Sequence, residues 1–236
     1  MTRPLVIDRP QTLCGLVAIP VRTAVVGPGE DLLTVVPRAV QGIARRGDVV
    51  TVSETALAIA QGQTLAAQAV RPSKLAHYIC QHAAPLATVS QPESLQLVID
   101  RVGVPKVLFA CGLQVLGRFV GQRGLFYRVM GEAITAIDGY TGTMPPFDRV
   151  IVFEPHEPNA FAQSFFERDG IDCAVVDAND LAPAKILGAS RNVEREIVAR
   201  ALDENPHGNS DEQTPIVVLK WRAEGANPLL RSGGQA

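Results

Sequence analysis

The chain has 236 residues, of which 47% are hydrophobic and 19% charged, and its formal net charge is −2. This size allows one large domain or two small ones with a real core, and the near-neutral charge gives no reason to expect nucleic acid or an acidic membrane as a partner. The first residues lack the apolar run of a secretory signal, and no stretch approaches the roughly 20 apolar residues that span a bilayer. Four scattered cysteines without a C-x-x-C pair indicate free thiols in a reducing, cytoplasmic setting.

The first half of the chain alternates short apolar strands with helical patterns. Pro37 is expected to distort or split the first helix, which follows the turn at 28–31. The patterns predict strands over 16–20 and 49–52, helices over 32–43, 73–83 and 92–102, and a buried strand or short helix over 106–110.

The segment 112–131 is unusual because glycines alternate with apolar residues and arginines. Close backbone approach combined with guanidinium groups suits a phosphate or a carboxylate. A mobile segment between helices or a dimer contact are the alternatives, and neither common nucleotide fingerprint is present. The residues concerned are Gly112, Gly117, Arg118, Gly121, Arg123, Gly124, Arg128 and Gly131.

The second half predicts a strand over 149–153, a helix capped by Asn159, and a strand over 171–176. This order suggests a β-α-β unit with a right-handed parallel crossover. Ser190 is placed to cap a further helix, and a last strand is expected over 215–219. The residues from about 224 onward are predicted to be a disordered tail.

Two acidic turns follow apolar stretches. Asp138 comes after Ile137, and Asp177 and Asp180 follow the run 173–176. Buried carboxylates at strand ends are costly without a cation or hydrogen bonds, and hard divalent metals prefer them as ligands. Ligands gather at strand ends in α/β sheets, so a metal site is one interpretation, and ordinary turn chemistry is the other.

Other polar residues give weaker signals. His77 and Cys80 share a helix face but His82 does not, so a zinc site is not favoured. The chain lacks a G-x-S-x-G motif, and covalent hydrolysis therefore has no support. The polar loop 205–215 precedes a strand and is either a ligand-contacting loop or a plain connector.

The order of these motifs resembles the gamma-glutamyl ligase family that adds glutamate to the deazaflavin coenzyme F-420. Residues 19–21 and 28–32 resemble the family's I-P-x and x-G-D-D-L segments, and 47–54 with 60–62 resemble G-D-V-x-V and A-E-G. Together the similar segments run in order from about residue 16 to 221. The remaining ones lie at 71–74, 136–139, 150–158, 174–177 and 208–219.

The resemblance implies amide ligation driven by GTP or ATP, in which a carboxylate is activated as an acyl phosphate and attacked by the glutamate amine. It implies Mg²⁺ or Mn²⁺ at the nucleotide phosphates, a small-molecule substrate and a homodimer. Asp138 corresponds to the first metal-binding aspartate, and Asp177 or Asp180 to the second. The nucleotide would lie along Ile19, Pro20, Val21, Arg22, Glu54, Gly208 and Asn209.

The chain also departs from the family pattern. Ile59 stands where the family has a lysine, and Asn209 where it has glutamine or glutamate. The family's threonine is replaced by Ala178, or by Leu181 if Asp180 is the second metal ligand. A ligand-binding or regulatory paralogue without catalysis is therefore the alternative function.

The fold expected from the resemblance is α/β, with mixed sheets and two intertwined subdomains. A single domain would cover 1–223, with a candidate subdomain over 47–72, an inserted segment over 112–131 and the tail over 224–236.

Overall fold

The structure is a computed structural model that describes residues 15–82, 90–122, 124–139, 146–179, 182–208, 213–222 and 226–231. The chain divides into two compact units. Residues 1–63 with 155–236 form the sheet unit, and residues 64–154 form the helical unit. Each unit has its own apolar core and combines helices with a β-sheet, which confirms the predicted α/β class with mixed sheets.

The elements follow one another along the chain in three groups. Up to residue 80 they are β1 (Leu16–Val21), α1 (Leu32–Val40), β2 (Val49–Ser53), α2 (Glu54–Ala60), β3 (Thr64–Ala66) and α3 (Lys74–Cys80). The middle contains α4 (Pro92–Val102), α5 (Val104–Phe119), α6 (Leu125–Met130), α7 (Glu132–Thr135), β4 (Ile137–Gly139) and β5 (Val150–Phe153). The last part contains α8 (Pro158–Asp169), β6 (Asp172–Asn179), β7 (Ala182–Ala189), α9 (Arg195–Ala201) and β8 (Ile216–Trp221).

The sheet unit is built on a five-stranded sheet of order β1-β8-β2-β6-β7. β2 and β6 are parallel, and the other neighbours are antiparallel. Apolar clusters cover both faces, one including residues of α1, α2 and α8 and the other residues of α9. Burial on both faces explains why the central strands are almost continuously apolar instead of alternating.

The helical unit contains the three-stranded antiparallel sheet β3-β5-β4 and the helices α3 to α7. Leu95, Val98 and Ile151 are fully buried in its core. α6 packs against α5 at Gly117, where an added Cβ would lie 2.9 Å from the carbonyl oxygen of Gln122. The described residues of the segment 112–131 form the end of α5 and then α6. The strand or short helix expected over 106–110 is part of the longer helix α5.

The predicted β-α-β crossover is wrong. β5 pairs with β3 and β4 in the helical unit, whereas β6 lies in the five-stranded sheet beside β2. The two strands therefore belong to different sheets, although α8 connects them as expected.

Two predicted helix caps have other roles. The N-cap of α8 is Glu157, and the side-chain oxygen of Asn159 accepts from Ala189 N at 3.2 Å and from Arg195. The Ser190 hydroxyl donates to Asp172 at 2.8 Å, and the next helix begins only at Arg195. Both side chains stabilise long-range packing, which a local capping pattern does not reveal.

Part of the predicted tail is packed. Leu229 is fully buried, and its carbonyl accepts from Glu194 N at 2.8 Å. Asn227 donates to the Gly47 carbonyl at 2.6 Å. Residues 226–231 are therefore ordered by contacts within the sheet unit, where Leu229 and Leu230 pack against the apolar cluster that contains α9.

Among the described residues, no single helix is both long and apolar enough to cross a membrane. α4 and α5 pass such a test only as a pair, and they are bent by 115° at their junction.

Candidate functional site

Three strands that run in the same direction end together at one edge of the five-stranded sheet. Val21 of β1 pairs with Ile216 of β8, Ile216 pairs with Val52 of β2, and Ser53 pairs with Val176 of β6. We call this side of the sheet the carboxyl edge. The strand spacing makes it about 15 Å wide from β1 to β6. The carboxyl ends of parallel strands are where α/β sheets bind ligands.

Four of the predicted site positions lie at the carboxyl edge or in the loop leading to it. Arg22 is exposed directly beyond β1, and Glu54 begins α2 directly after β2. Asp177 lies within β6, directly after Val176, the last residue of β6 that pairs with β2, and Gly208 precedes β8 in the chain. Local sequence does not reveal this convergence, because the four positions are spread over 186 positions of chain.

Ile19, Pro20 and Val21 are buried within β1. Ile19 and Val21 belong to the apolar core of the sheet unit. Any contact of this strand with a ligand would therefore come from its backbone or from Arg22.

His207 anchors the loop that precedes β8. Its Nε2 lies 3.0 Å from the Thr51 hydroxyl on β2, and its Nδ1 lies 3.1 Å from the Thr214 carbonyl. Since a carbonyl only accepts, Nδ1 carries the proton. Nε2 and the Val217 carbonyl, which lies 3.2 Å from the Thr51 hydroxyl, then share the single proton of that hydroxyl. Burial lowers the pKa of His207 to about 4, and the bond to Thr214 offsets only part of this effect. The loop is thus held by a neutral imidazole.

Sequence reasoning gave His207 no role. Its partner Thr51 is 156 positions away, and no local pattern connects the two. The second anchor of the same loop is equally non-local, because Thr23 N donates to the Gln213 carbonyl at 3.0 Å. The loop is therefore tied to both β1 and β2.

Glu54 and Asp177 supply carboxylates at two adjacent strand ends. Carboxylates are the chemistry that Mg²⁺ uses alongside water and phosphate oxygens, so the donor set fits such an ion. Asp177 also stands opposite the exposed Lys185 on β7, and an opposite-charge pair across strands is the alternative role for it. The described residues contain no group of three or more His, Cys, Asp or Glu side chains that could hold a metal.

The remaining predicted site residues are elsewhere or outside the description. Asp138 lies on β4 of the helical unit. Asp180 and Asn209 are outside the described residues. The shared cation of Asp138 with Asp177 or Asp180 stays a prediction.

The segment that resembles the family's A-E-G motif has a structural role. The Gln61 side chain accepts from His156 N at 2.7 Å and donates to the His156 carbonyl at 3.0 Å. Ile59, which stands in place of the family's lysine, is only 6% exposed. This turn of α2 therefore presents no cation of its own.

A comparison with protein families gives one match over residues 20–107, to F420-0:Gamma-glutamyl ligase. This matched stretch is similar to the F420-0:gamma-glutamyl ligase family and covers less than half of the chain. It runs from β1 into α5 and includes Arg22 and Glu54. No curated protein matches the chain.

The family match confirms the resemblance, and the activity class of the family is ligation in F420 biosynthesis. Asp138, Asp177 and the loop at Gly208 lie beyond the matched residues. Their correspondence to family motifs therefore rests on the similarity of the short segments alone.

Proposed function

We propose that the chain is a metal-dependent, nucleotide-driven amide ligase of the gamma-glutamyl type, acting on a small carboxylate related to the deazaflavin coenzyme. The observation that carries the proposal is the carboxyl edge. Arg22, Glu54 and Asp177 are distributed along it, and Arg22 and Glu54 fall within the family match.

The charges along the edge suit a nucleoside triphosphate. Arg22 is placed to bind phosphate oxygens, since a guanidinium pairs with them bidentately. Glu54 and Asp177 are placed to hold Mg²⁺ or Mn²⁺ near those phosphates. A bound ion would offset the negative charge of the phosphates.

The substrate carboxylate would take up the terminal phosphoryl group of GTP or ATP, and the amine of the incoming amino acid would then displace phosphate to form the amide. For this chemistry the residues of the chain have to bind and orient the reactants and exclude water. The residues on either side of 209–212 suit that task, because His207 is bonded to Thr51 of β2 and Gln213 to Thr23, just beyond β1.

The central test is a thermal-shift titration with Mg²⁺ or Mn²⁺, with GTP or ATP, and with each metal–nucleotide pair. We expect stabilisation by the nucleotide that depends on the metal. Asp177→Asn and Glu54→Gln should remove it, whereas Asp203→Asn, at an exposed aspartate after α9, should leave it intact. Nucleotide binding that ignores the metal, or equal effects of all three variants, would contradict the proposal.

Asp138→Ala tests the second predicted ligand separately. If Asp138 contributes to the same ion, the metal-dependent shift disappears as in Asp177→Asn. A shift that persists in Asp138→Ala but is lost in Asp177→Asn would remove Asp138 from the site and leave the carboxyl edge as the metal position.

A ligand-binding paralogue without catalysis is the second candidate, because Ile59 is buried where the family has a lysine. Phosphate release from GTP or ATP, with glutamate and a carboxylate acceptor present, separates the two. Metal-dependent nucleotide binding without phosphate release would favour the paralogue.

The family resemblance also leads us to propose a homodimer. Its mass in solution, measured by light scattering after size exclusion, tests this part independently of catalysis.

A further inference from the structure

The outward side of α5 carries an unusual apolar surface. This 16-residue helix buries only Val107, Ala110 and Gly117. Its large apolar side chains are otherwise exposed, with Phe119 at 84% and Leu116 at 63%. We define the outer face of α5 by its exposed large apolar residues, which are Val104, Leu108, Phe109, Val115, Leu116 and Phe119.

The geometry of the helix gathers these residues on one side. At 100° per residue they span an arc of about 140°, from Val104 to Phe109. Lys106 and Arg118 are exposed and lie roughly 40–60° beyond the two edges of that arc. An apolar arc with cations at both borders is the pattern of a helix that lies in the plane of a membrane surface.

The charge along this segment has a single sign. Residues 101–131 contain five Lys or Arg residues and no Asp or Glu, and the nearest acids in the chain are Asp100 and Glu132. The net charge of −2 describes the whole chain and hides this local excess. Two outer faces of α5 packed against each other would bring cations against cations. An anionic partner supplies the countercharge that such a contact lacks.

We propose that the outer face of α5 binds the surface of an anionic lipid membrane without spanning it. Leu116 and Phe119 would enter the boundary between headgroups and acyl chains, while Lys106 and Arg118 contact the anionic headgroups. A convex helix face suits a lipid surface. It does not suit an amphipathic peptide as the partner, because such a peptide binds in a groove. This proposal is independent of the ligase site and departs from the expectation based on net charge.

The test is co-sedimentation of the full chain with vesicles at low salt. We expect binding to vesicles of equal parts phosphatidylcholine and phosphatidylglycerol, and little binding to phosphatidylcholine alone. Since a basic side chain near an anionic surface contributes about fivefold in affinity, Lys106→Gln with Arg118→Gln should weaken binding on the order of 30-fold. Added salt should weaken it as well.

Leu116→Ser with Phe119→Ser should weaken binding at least about tenfold, because two apolar side chains no longer leave water. Tyr78→Ser on α3 is the matched control, since Tyr78 is 64% exposed and lies outside the face. Arg168→Gln, at an exposed arginine of α8, is the control for charge. Both controls should bind like the unmodified chain, and thermal melting verifies that every variant is folded.

Three outcomes would overturn the proposal. The first is no binding to anionic vesicles, or binding that all variants share. The second is a dimer that Leu116→Ser with Phe119→Ser converts to monomers, which would assign the face to a second copy. The third is binding to polyglutamate but not to phosphatidylglycerol, which would assign it to an acidic protein.

Discussion

The sheet unit and the helical unit treat apolar surface in opposite ways. Val50, Val175 and Val218 on three neighbouring strands of the sheet unit are all 0% exposed. Of the ten large apolar side chains recorded as exposed among the described residues, nine lie in the helical unit and only Val25 lies in the sheet unit. The sheet unit is closed around its core and carries the candidate site at its carboxyl edge. The helical unit buries its own core and in addition exposes the apolar outer face of α5.

Among the described glycines, Gly188 on β7 has the closest neighbouring atoms. A Cβ at this position would overlap the carbonyl group of Pro158 and lie 2.5 Å from Asn159 N. Because both obstacles are backbone, neither can move aside without shifting α8 against the sheet. We expect Gly188→Ala to lower the free energy of unfolding by about 3 kcal/mol, measured by urea denaturation. A loss below roughly 0.5 kcal/mol would mean that α8 and β7 are not in close contact.

The next largest effect concerns His207, which the sheet unit buries in its neutral form. Its pKa is about 4 in the folded chain and about 6.5 when unfolded, so below pH 6.5 the unfolded state takes up the proton first. Stability should therefore fall between pH 6.5 and 4 by about 3 kcal/mol from this group, and the effect should be absent above pH 6.5.

The check is a comparison of denaturation at pH 7 and pH 4.5 for the unmodified chain and His207→Gln. Carboxylates titrate in both proteins, so the difference between their pH dependences isolates the imidazole. The variant should lose less stability on acidification. Equal losses would show that His207 is solvated or already charged at neutral pH.

Local structure could be predicted from the sequence, whereas its long-range assembly could not. The helix over 92–102 was predicted to the residue, and β2 to within one residue, because capping, periodicity and β-branched runs are local. The sheet to which β5 belongs depends on partners far along the chain, and so do the roles of Asn159 and Ser190. The residues around Leu229 were predicted to be a disordered tail, but this leucine is buried in the core of the sheet unit.

The candidate site divides in the same way. Asp177 was selected from its acidic turn and again from the family resemblance, Glu54 from the resemblance alone, and strand register then placed both at one edge. Which residues hold the neighbouring loop could not be predicted, since His207 and Thr51 meet only through the sheet. The sequence therefore identified the candidate metal ligands, whereas the residues that hold the neighbouring loop follow from the strand topology.

Gly112 in the middle of α5 offers the counterpart to Gly188. A Cβ there would meet nothing within 4 Å, and the position is exposed. Alanine has the higher helix propensity, so Gly112→Ala should raise the free energy of unfolding by about 1 kcal/mol. The same substitution thus has opposite signs in the two units. Destabilisation in the urea midpoint would show that the α5 surface near Gly112 is already in contact with another part of the protein.

The smallest expected effect belongs to Gln61, which joins the end of α2 to the segment before α8. A glutamate, the residue of the family motif, would keep the bond from His156 N but lose the donor to the His156 carbonyl and place a charge against that oxygen. Because the site is exposed, Gln61→Glu should cost only about 0.5–1 kcal/mol at neutral pH, and less once the carboxyl is protonated near pH 4. Gln68→Glu is a suitable control and should change stability little, since Gln68 is also exposed and lies outside this contact. Melting curves at pH 7 and pH 4 measure both variants. A loss for Gln61→Glu that does not shrink at low pH would mean that the charge is not responsible and that the clamp depends on the geometry of the amide alone.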